Sequence, residues 1–137
     1  MSRFVKPETR TLTLANGDRL IVKKQLTSGE QRIAFARLYT QGQDGTYRVN
    51  PLQTGIGLIT AYLVDWTVTD DDDQLVPIRG LSAEDLTAVI DSLDPASFTE
   101  IRQAIEAHEE AVIAEREEKK TAPVIESKSE AISTSVN

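Results

Sequence analysis

The most apolar segment of the chain, Leu52 to Trp66, restricts the folds available to it. Apolar side chains recur along this segment at intervals of four, three, four and three residues, at Leu52, Ile56, Ile59, Leu63 and Trp66. This spacing places them on one face of an α-helix, so we predict a central helix here. Gly55 and Gly57 each weaken a helix by about 1 kcal/mol relative to alanine. They indicate either close packing against a neighbouring element or a helix that starts near Ile56.

The region before this helix has the pattern of a β-hairpin. Polar and apolar residues alternate over Thr9–Leu14, Asn16-Gly17 accepts positive φ angles, and the extended pattern resumes over Arg19–Lys23. An isolated hairpin is only marginally stable in water, so we expect the helices that follow to cover one of its faces.

Helix start signals occur at three further places. Thr27 with Glu30, and Ser82 with Asp85, have the spacing of capping boxes, and Asp94 before Pro95 is typical of an N-cap. The first signal predicts a helix from about Ser28 to about Gln41, followed after a glycine-rich break by a loop over residues 47–51. Its predicted buried residues are Ile33, Ala34, Leu38, part of Phe35 and the stem of Arg37.

The two later helices have clear apolar stripes. The first has Leu86, Val89, Ile90 and Leu93 facing inward, and a short extended segment, Gln74–Ile78, precedes it. The last helix carries a heptad-like stripe of Phe98, Ile101, Ile105, His108 and Val112.

These elements predict an α+β fold in which an N-terminal β-hairpin packs on a small bundle of about four helices. A length of 137 residues suits one modest domain. We place it at residues 1–120 and predict a disordered tail at residues 121–137, which are rich in Ser, Thr, Glu and Lys. No apolar run has the length of a signal peptide or reaches the roughly 18 residues of a membrane span, so neither export by such a signal nor membrane insertion is expected.

The net charge of −7 hides an asymmetry between the two ends of the chain. Residues 1–48 hold nine basic and four acidic residues, whereas residues 49–137 hold six and eighteen. The two parts either attract each other within one fold or promote self-association or docking to a basic partner. Nucleic-acid binding is not expected, because the basic residues are not concentrated among aromatic ones.

Four successive aspartates, Asp70 to Asp73, resemble a cation-binding loop in composition. An EF-hand loop that starts at Asp70 would need glycine at its sixth position and an acid at its twelfth, and those positions hold Leu75 and Leu81. We therefore predict a hydrated turn rather than a calcium site of this type. A looser cation site remains the alternative.

The sequence carries none of the common catalytic or cofactor motifs. The chain has no cysteine and one histidine, His108, so thiol nucleophiles and sites with several histidines are excluded. It also lacks a nucleophile elbow, a P-loop and a dinucleotide fingerprint. We predict a protein that is not an enzyme and that has no cofactor or metal. His108 on the apolar stripe indicates a packing or partner contact, with a titrating role as the alternative.

Several short motifs occur in a characteristic order. They are Lys6–Leu14 followed by Asn-Gly-Asp, then Leu26–Glu30, Tyr62–Asp72, Val76–Ile78, Leu93–Phe98 and Ala104–His108. This order, over most of residues 5–118, resembles the small tail assembly chaperones of long-tailed, siphovirus-like bacteriophages.

The resemblance implies a non-enzymatic helper of virion assembly that acts in the host cytoplasm and is absent from the mature virion. Such proteins bind the tape measure protein, keep it soluble and help recruit tail tube protein to it. The residues that would contact a partner are Trp66, Phe98, Ile101, Ile105 and Val112, and the competing interpretation is that all of them are core. Two other functions remain open: a structural virion component, such as a small connector or tail subunit, and a cation-binding module.

Overall fold

The structure, a computed structural model, describes residues 2–131, without the side chains of residues 40, 51, 52 and 119–131. Its strands are β1 Thr9–Thr13, β2 Arg19–Lys23, β3 Tyr39–Gln41, β4 Tyr47–Val49 and β5 Leu63–Trp66. Its helices are α1 Ser28–Ala36, α2 Pro51–Tyr62, α3 Ala83–Asp91 and α4 Pro95–Ala131. The predicted α+β class, with an N-terminal hairpin and four helices, is confirmed.

The main sheet is antiparallel, with strand order β1-β2-β5. The predicted hairpin is confirmed: Leu12 of β1 pairs with Leu20 of β2, and Gly17 at the turn has a φ of 93°. Leu20 and Val22 are fully buried, so one face of the sheet packs on the helices as predicted.

Strand β5 corrects the prediction of a helix that continues to Trp66. The helix ends at Tyr62, and Leu63–Trp66 pairs with β2 through Leu20–Trp66 and Val22–Leu63. The register shifts between these pairs, as a β-bulge requires. Residues three apart in a regular strand would point to opposite faces, but the bulge lets both Leu63 and Trp66 be buried.

The core lies between this sheet and helices α2, α3 and α4. Helix α2 contributes Ile56, Ile59 and Tyr62, and α3 contributes Leu86 and Ile90. Helix α4 crosses beneath the hairpin and is held to it by polar contacts: Glu100 accepts a hydrogen bond from the backbone of Ala15. The predicted inward stripes of α3 and α4 are therefore correct.

The two glycines of α2 are explained by close packing. The helix begins at Pro51, so a later start near Ile56 is not the reason for them. A Cβ atom added at Gly55 would lie 2.6 Å from Cζ of Phe98 and 2.7 Å from Cδ of Arg102. One added at Gly57 would lie 3.2 Å from the carbonyl oxygen of Ala34. Gly55 thus lets α4 approach α2, and Gly57 lets α1 do so.

Helix α1 and the segment after it differ from the prediction. The helix ends at Ala36 rather than near Gln41, and the predicted loop at residues 47–51 contains strand β4. Aromatic and β-branched residues on both sides of Asp44-Gly45 favour extended pairing over a longer helix. The turn is closed by Asp44, which accepts hydrogen bonds from the backbone and hydroxyl of Thr46.

The predicted helix caps at Thr27 and Asp94 are present, and of the box predicted at Ser82 the structure shows the N-cap half. Thr27 and Glu30 form a capping box, the Ser82 hydroxyl accepts from the backbone of Asp85, and Asp94 accepts from the backbone of Ser97. The Ser97 backbone and hydroxyl hydrogen bonds lower the pKa of Asp94.

The C-terminal prediction lies largely beyond what the structure describes. Of the predicted disordered tail, residues 132–137 are outside the described part, and residues 121–131 belong to α4 as bounded above, with no side chain described. Within the described residues, no helix combines the length and apolar character needed to cross a membrane.

Candidate partner-binding surface

Helix α1 rests on α2 without contributing to the core. All nine of its residues are described, and none of them is buried. Ala34 faces Gly57 at the closest approach of the two helices. Arg37, just after α1, donates to the Thr60 hydroxyl of α2 at 2.8 Å, and Lys23 forms an ion pair with Glu30. Polar contacts and one small-residue contact therefore hold this helix.

Two large apolar side chains lie on either side of the contact between α1 and α2. Ile33 lines a cleft with Ala61, whereas Phe35 lines a second cleft with Leu58. Neighbours two positions apart on a helix do not face each other, which explains their separation. The prediction that Ile33 is buried is wrong, because it is 61% exposed.

The second hairpin, β3–β4, carries apolar side chains on one face. Tyr39 pairs with Val49, and Gln41 with Tyr47, so these four residues share one face of the ribbon. A two-stranded ribbon is marginally stable alone, so a contact that covers this face would stabilise it.

We name α1 together with β3–β4 the apolar arm. Its large exposed apolar residues are between 47% and 69% exposed; they are Ile33, Phe35, Tyr39, Tyr47 and Val49. Sequence reasoning assigned none of these residues to a site. The available signal is the run of aromatic and β-branched residues around Asp44-Gly45, for which the prediction was the end of a helix at about Gln41 and a loop over residues 47–51.

A groove between α1, α2 and α4 begins at the apolar arm, and we name it the α1–α4 groove. It has a volume of about 210 Å³, and its apolar lining is Leu26, Ala34, Phe35, Leu38 and Leu58. Its charged lining residues, Glu106 and Glu109, both come from α4.

The two groove carboxylates have different partners. Both oxygens of Glu106 accept from Arg102 at 3.1 Å. Oε2 of Glu109 accepts from the Tyr62 hydroxyl at 2.9 Å, and burial followed by this hydrogen bond raises the pKa of Tyr62. Glu106 is therefore neutralised within its own helix, whereas Glu109 is bound only by a neutral hydroxyl among the described residues.

The residues predicted as partner contacts all lie in or against the core. Trp66, Ile101, Ile105 and Val112 are buried, and Phe98 packs partly buried beside them. The indole of Trp66 donates to the carbonyl of Val76 at 2.8 Å, so its polar atom is also satisfied. Their contact with a partner stays a prediction, and it would require this core to open.

His108 has a packing role of the kind predicted. It is buried, and its Nε2 lies 2.9 Å from the carbonyl of Lys23 and 3.2 Å from that of Lys24. Because carbonyl oxygens only accept, Nε2 carries the hydrogen. The ring also meets Tyr62 edge to face, at a centroid distance of 5.7 Å. His108 thus joins α4 to the end of β2.

The aspartate run forms a tight turn. Oδ1 of Asp70 accepts from the backbone of Asp72 at 2.8 Å and of Gln74 at 3.0 Å, and Asp73 has a φ of 58°. Beyond the turn, Val76 donates back to Val68, so the predicted extended segment folds back beside β5. The first carboxylate of the run therefore closes the turn.

Most of the ion pairs join two residues of the same part of the chain and do not connect the basic part to the acidic part. Of the ion pairs found among the described residues, Arg10 with Glu115 joins the basic and acidic parts, at 2.9 Å. This hydrogen bond raises the pKa of Arg10. The other pairs, such as Lys24 with Glu8 or Arg79 with Asp65, form within one part. Close ion pairing between the two parts is thus represented, among the described residues, by Arg10 and Glu115.

Comparisons of the chain with models of protein families, with curated proteins and with solved structures found no match.

Proposed function

We propose that this chain is a non-enzymatic tail assembly chaperone of a siphovirus-like bacteriophage. It binds the tape measure protein in the host cytoplasm, keeps it soluble and assists tail tube polymerisation, and it is not retained in the mature virion. The order of short motifs given above is the basis for the family assignment. The apolar arm is the single structural observation that supports binding to a partner.

The apolar arm supports this proposal through its exposure and its weak attachment. Five large apolar side chains are about half exposed or more on a segment of some twenty residues. On the β3–β4 ribbon Tyr39, Tyr47 and Val49 share one face, and exposed apolar side chains grouped in this way are characteristic of an interaction site. A tape measure protein, by the same resemblance, is a long helical protein whose apolar surface needs cover, and an apolar helix face fits an apolar groove.

The acidic part of the chain supports a solubilising role. Residues 49–137 hold eighteen acidic and six basic residues. A complex whose apolar surface is covered by the arm and whose outside carries this charge is protected against association by like-charge repulsion.

Co-expression tests the proposal directly. The tape measure protein is expressed from the same phage with and without this chain, and its soluble fraction and co-purification are measured. We expect the chain to raise the soluble fraction and to co-purify. A double variant, Phe35→Ser with Tyr47→Ser, should lose both effects.

A matched control makes this result specific. Leu75→Ser with Leu81→Ser also removes two exposed apolar side chains, but both lie outside the arm. This control should behave as the unchanged chain does. If the tape measure protein gains no solubility and does not co-purify, the chaperone proposal is contradicted. If mass spectrometry finds the chain in purified virions, a structural component is favoured instead.

A further inference from the structure

We propose that the partner segment is an amphipathic helix that carries a Lys or Arg beside its apolar stripe. It lies in the α1–α4 groove with this cation against Glu109. The identity of the partner rests on the proposed function; the chemistry of the segment rests on the groove itself.

The apolar lining of the groove determines the apolar stripe. Phe35 and Leu38 on one wall and Leu58 on the other leave an open, mainly apolar trough between two helices. An extended peptide would leave backbone groups without partners there, whereas a helix satisfies its own. A helix also presents side chains at intervals of three and four residues, which suits a trough between helices.

The negative charge at the groove is the reason to expect a cation beside the apolar stripe of the partner helix. Both charged side chains that line the groove are carboxylates, and Arg102 already occupies both oxygens of Glu106. Glu109 receives one hydrogen bond, from Tyr62, and among the described contacts its Oε1 accepts none. A cation beside Glu109 would therefore complete a charge-assisted hydrogen bond in a partly desolvated position.

The length of the occupant follows from the neighbouring cavity. A cavity of about 390 Å³ shares Leu26, Gln31 and Glu109 with the groove and extends along α4 to Arg116. From Glu106 to Arg116, α4 advances by about 15 Å, the length of about three helical turns. Arg3 and Arg116 also line this cavity, and the charge of Arg116 acts on the Tyr62 hydroxyl that Glu109 binds, so the cation is expected on the side of Glu109 that faces Glu106.

The test uses two designed helical peptides of about four turns with the same apolar stripe. One has lysines beside the stripe and the other has glutamates, and binding to the full chain is measured by fluorescence anisotropy. We expect the lysine peptide to bind about tenfold more tightly at low salt, with the difference shrinking at high salt. Equal affinity of the two peptides, or no binding of the lysine peptide, overturns the inference.

Neighbouring carboxylates provide the matched variants. Glu109→Gln keeps an acceptor for Tyr62 but removes the charge, and it should weaken binding of the lysine peptide by about three- to tenfold. Glu110→Gln makes the same charge change one position along α4, where the side chain is exposed and outside the groove, and should leave binding unchanged. Equal effects of the two variants would show a general charge effect and contradict a site at Glu109.

Two apolar variants form a second pair. Phe35→Ser should weaken binding of the peptide, because Phe35 lines the groove, whereas Leu75→Ser removes a similarly exposed side chain outside the groove and the arm and should not. The groove proposal and the chaperone proposal can be contradicted independently of each other. Solubilised tape measure protein without peptide binding would contradict only the groove, and peptide binding without any effect on the tape measure protein would contradict only the chaperone function.

Discussion

The core unit and the apolar arm differ in how much of their apolar surface they bury. In the core unit, formed by β1, β2, β5 and helices α2 to α4, every element except β1 buries large apolar side chains, and β1 packs the partly buried Leu12 against them. Leu20, Ile59 and Ile105 are completely inaccessible. In the apolar arm, α1 buries none and β4 is exposed along its whole length. Because burial of apolar surface supplies most of the favourable folding free energy, the core unit contributes most of the stability. The arm is held by caps, a few polar contacts and one close helix approach, which leaves its apolar side chains available to a partner.

Truncation of an apolar side chain should give the largest difference in stability between the core unit and the arm. Ile105→Ala leaves a cavity in the core and should lower the free energy of unfolding by about 2–5 kcal/mol. Ile33→Ala removes the same atoms from an exposed position in the arm and should change it by less than about 0.5 kcal/mol. Denaturant unfolding measures both. Similar losses for the two variants would show that the arm is part of the core.

The two glycines of α2 contact different regions, since Gly55 packs against α4 of the core unit and Gly57 against α1 of the arm. Gly55→Ala places a methyl group against Phe98 and Arg102 of α4, so overpacking of about 1–3 kcal/mol should outweigh the gain in helix propensity and lower the melting temperature. Gly57→Ala should leave the melting temperature unchanged or slightly raised. It should instead displace α1, and hydrogen exchange of the α1 amides should become faster. A stabilising Gly55→Ala would contradict the close packing of α2 on α4.

Removal of the N-cap of α1 or of α3 should have a smaller effect on stability that also distinguishes the arm from the core unit. Thr27→Ala and Ser82→Ala each remove a hydroxyl that accepts from a backbone amide, at a cost of about 1 kcal/mol. For Ser82 this loss should appear in global unfolding, because α3 packs into the core through Leu86 and Ile90. For Thr27 it should appear only as faster exchange of the α1 amides. A full global loss from Thr27→Ala would argue that the arm and the core unfold together.

These contrasts also explain which features the sequence could reveal. Capping signals and the Asn16-Gly17 turn are local, so the helix starts and the first hairpin were predicted correctly. Strand β5 was not, because the bulge at Val64 buries Leu63 and Trp66 three positions apart, which imitates the period of a helix. The face of α1 was misjudged because Gly57 lets Ala34 make the contact, and this leaves the larger Ile33 exposed.

The candidate site could be predicted less well than the fold. Trp66, Ile101 and Ile105 were marked by size and periodicity, which are equally the marks of core residues. Tyr39, Tyr47 and Val49 became recognisable only once the strand pairing placed them on a common face, and Ile33 and Phe35 only once the structure left them exposed. Glu109 stood out only when the fold brought α4 beside α1.

The smallest expected effect is a pH dependence confined to the arm. Burial alone would raise the pKa of Glu30, but hydrogen bonds from Lys23 and from Thr27 outweigh it and lower this pKa below its ordinary 4.5. A lowered pKa in the folded state stabilises the fold above the ordinary value and loses that effect as the pH falls through the lowered one. For a pair this exposed the effect is a few tenths of a kcal/mol.

Hydrogen exchange of α1, compared between the unchanged chain and Glu30→Gln, checks this effect. The difference should be present at neutral pH and vanish in acid below pH 4.5. A difference that persists in strong acid would mean that the charge of Glu30 is not its cause.

Hydrogen exchange of the whole chain, with and without the tape measure protein, tests the division between core and arm most directly. In the free chain, residues 28–49 should exchange by local opening, well before the amides of β2, α2 and the middle of α4. In the complex, protection should rise in the arm and along the α1–α4 groove while the core stays unchanged. If the arm exchanges only with global unfolding, or if the partner protects another surface and leaves the arm as it was, the account is contradicted.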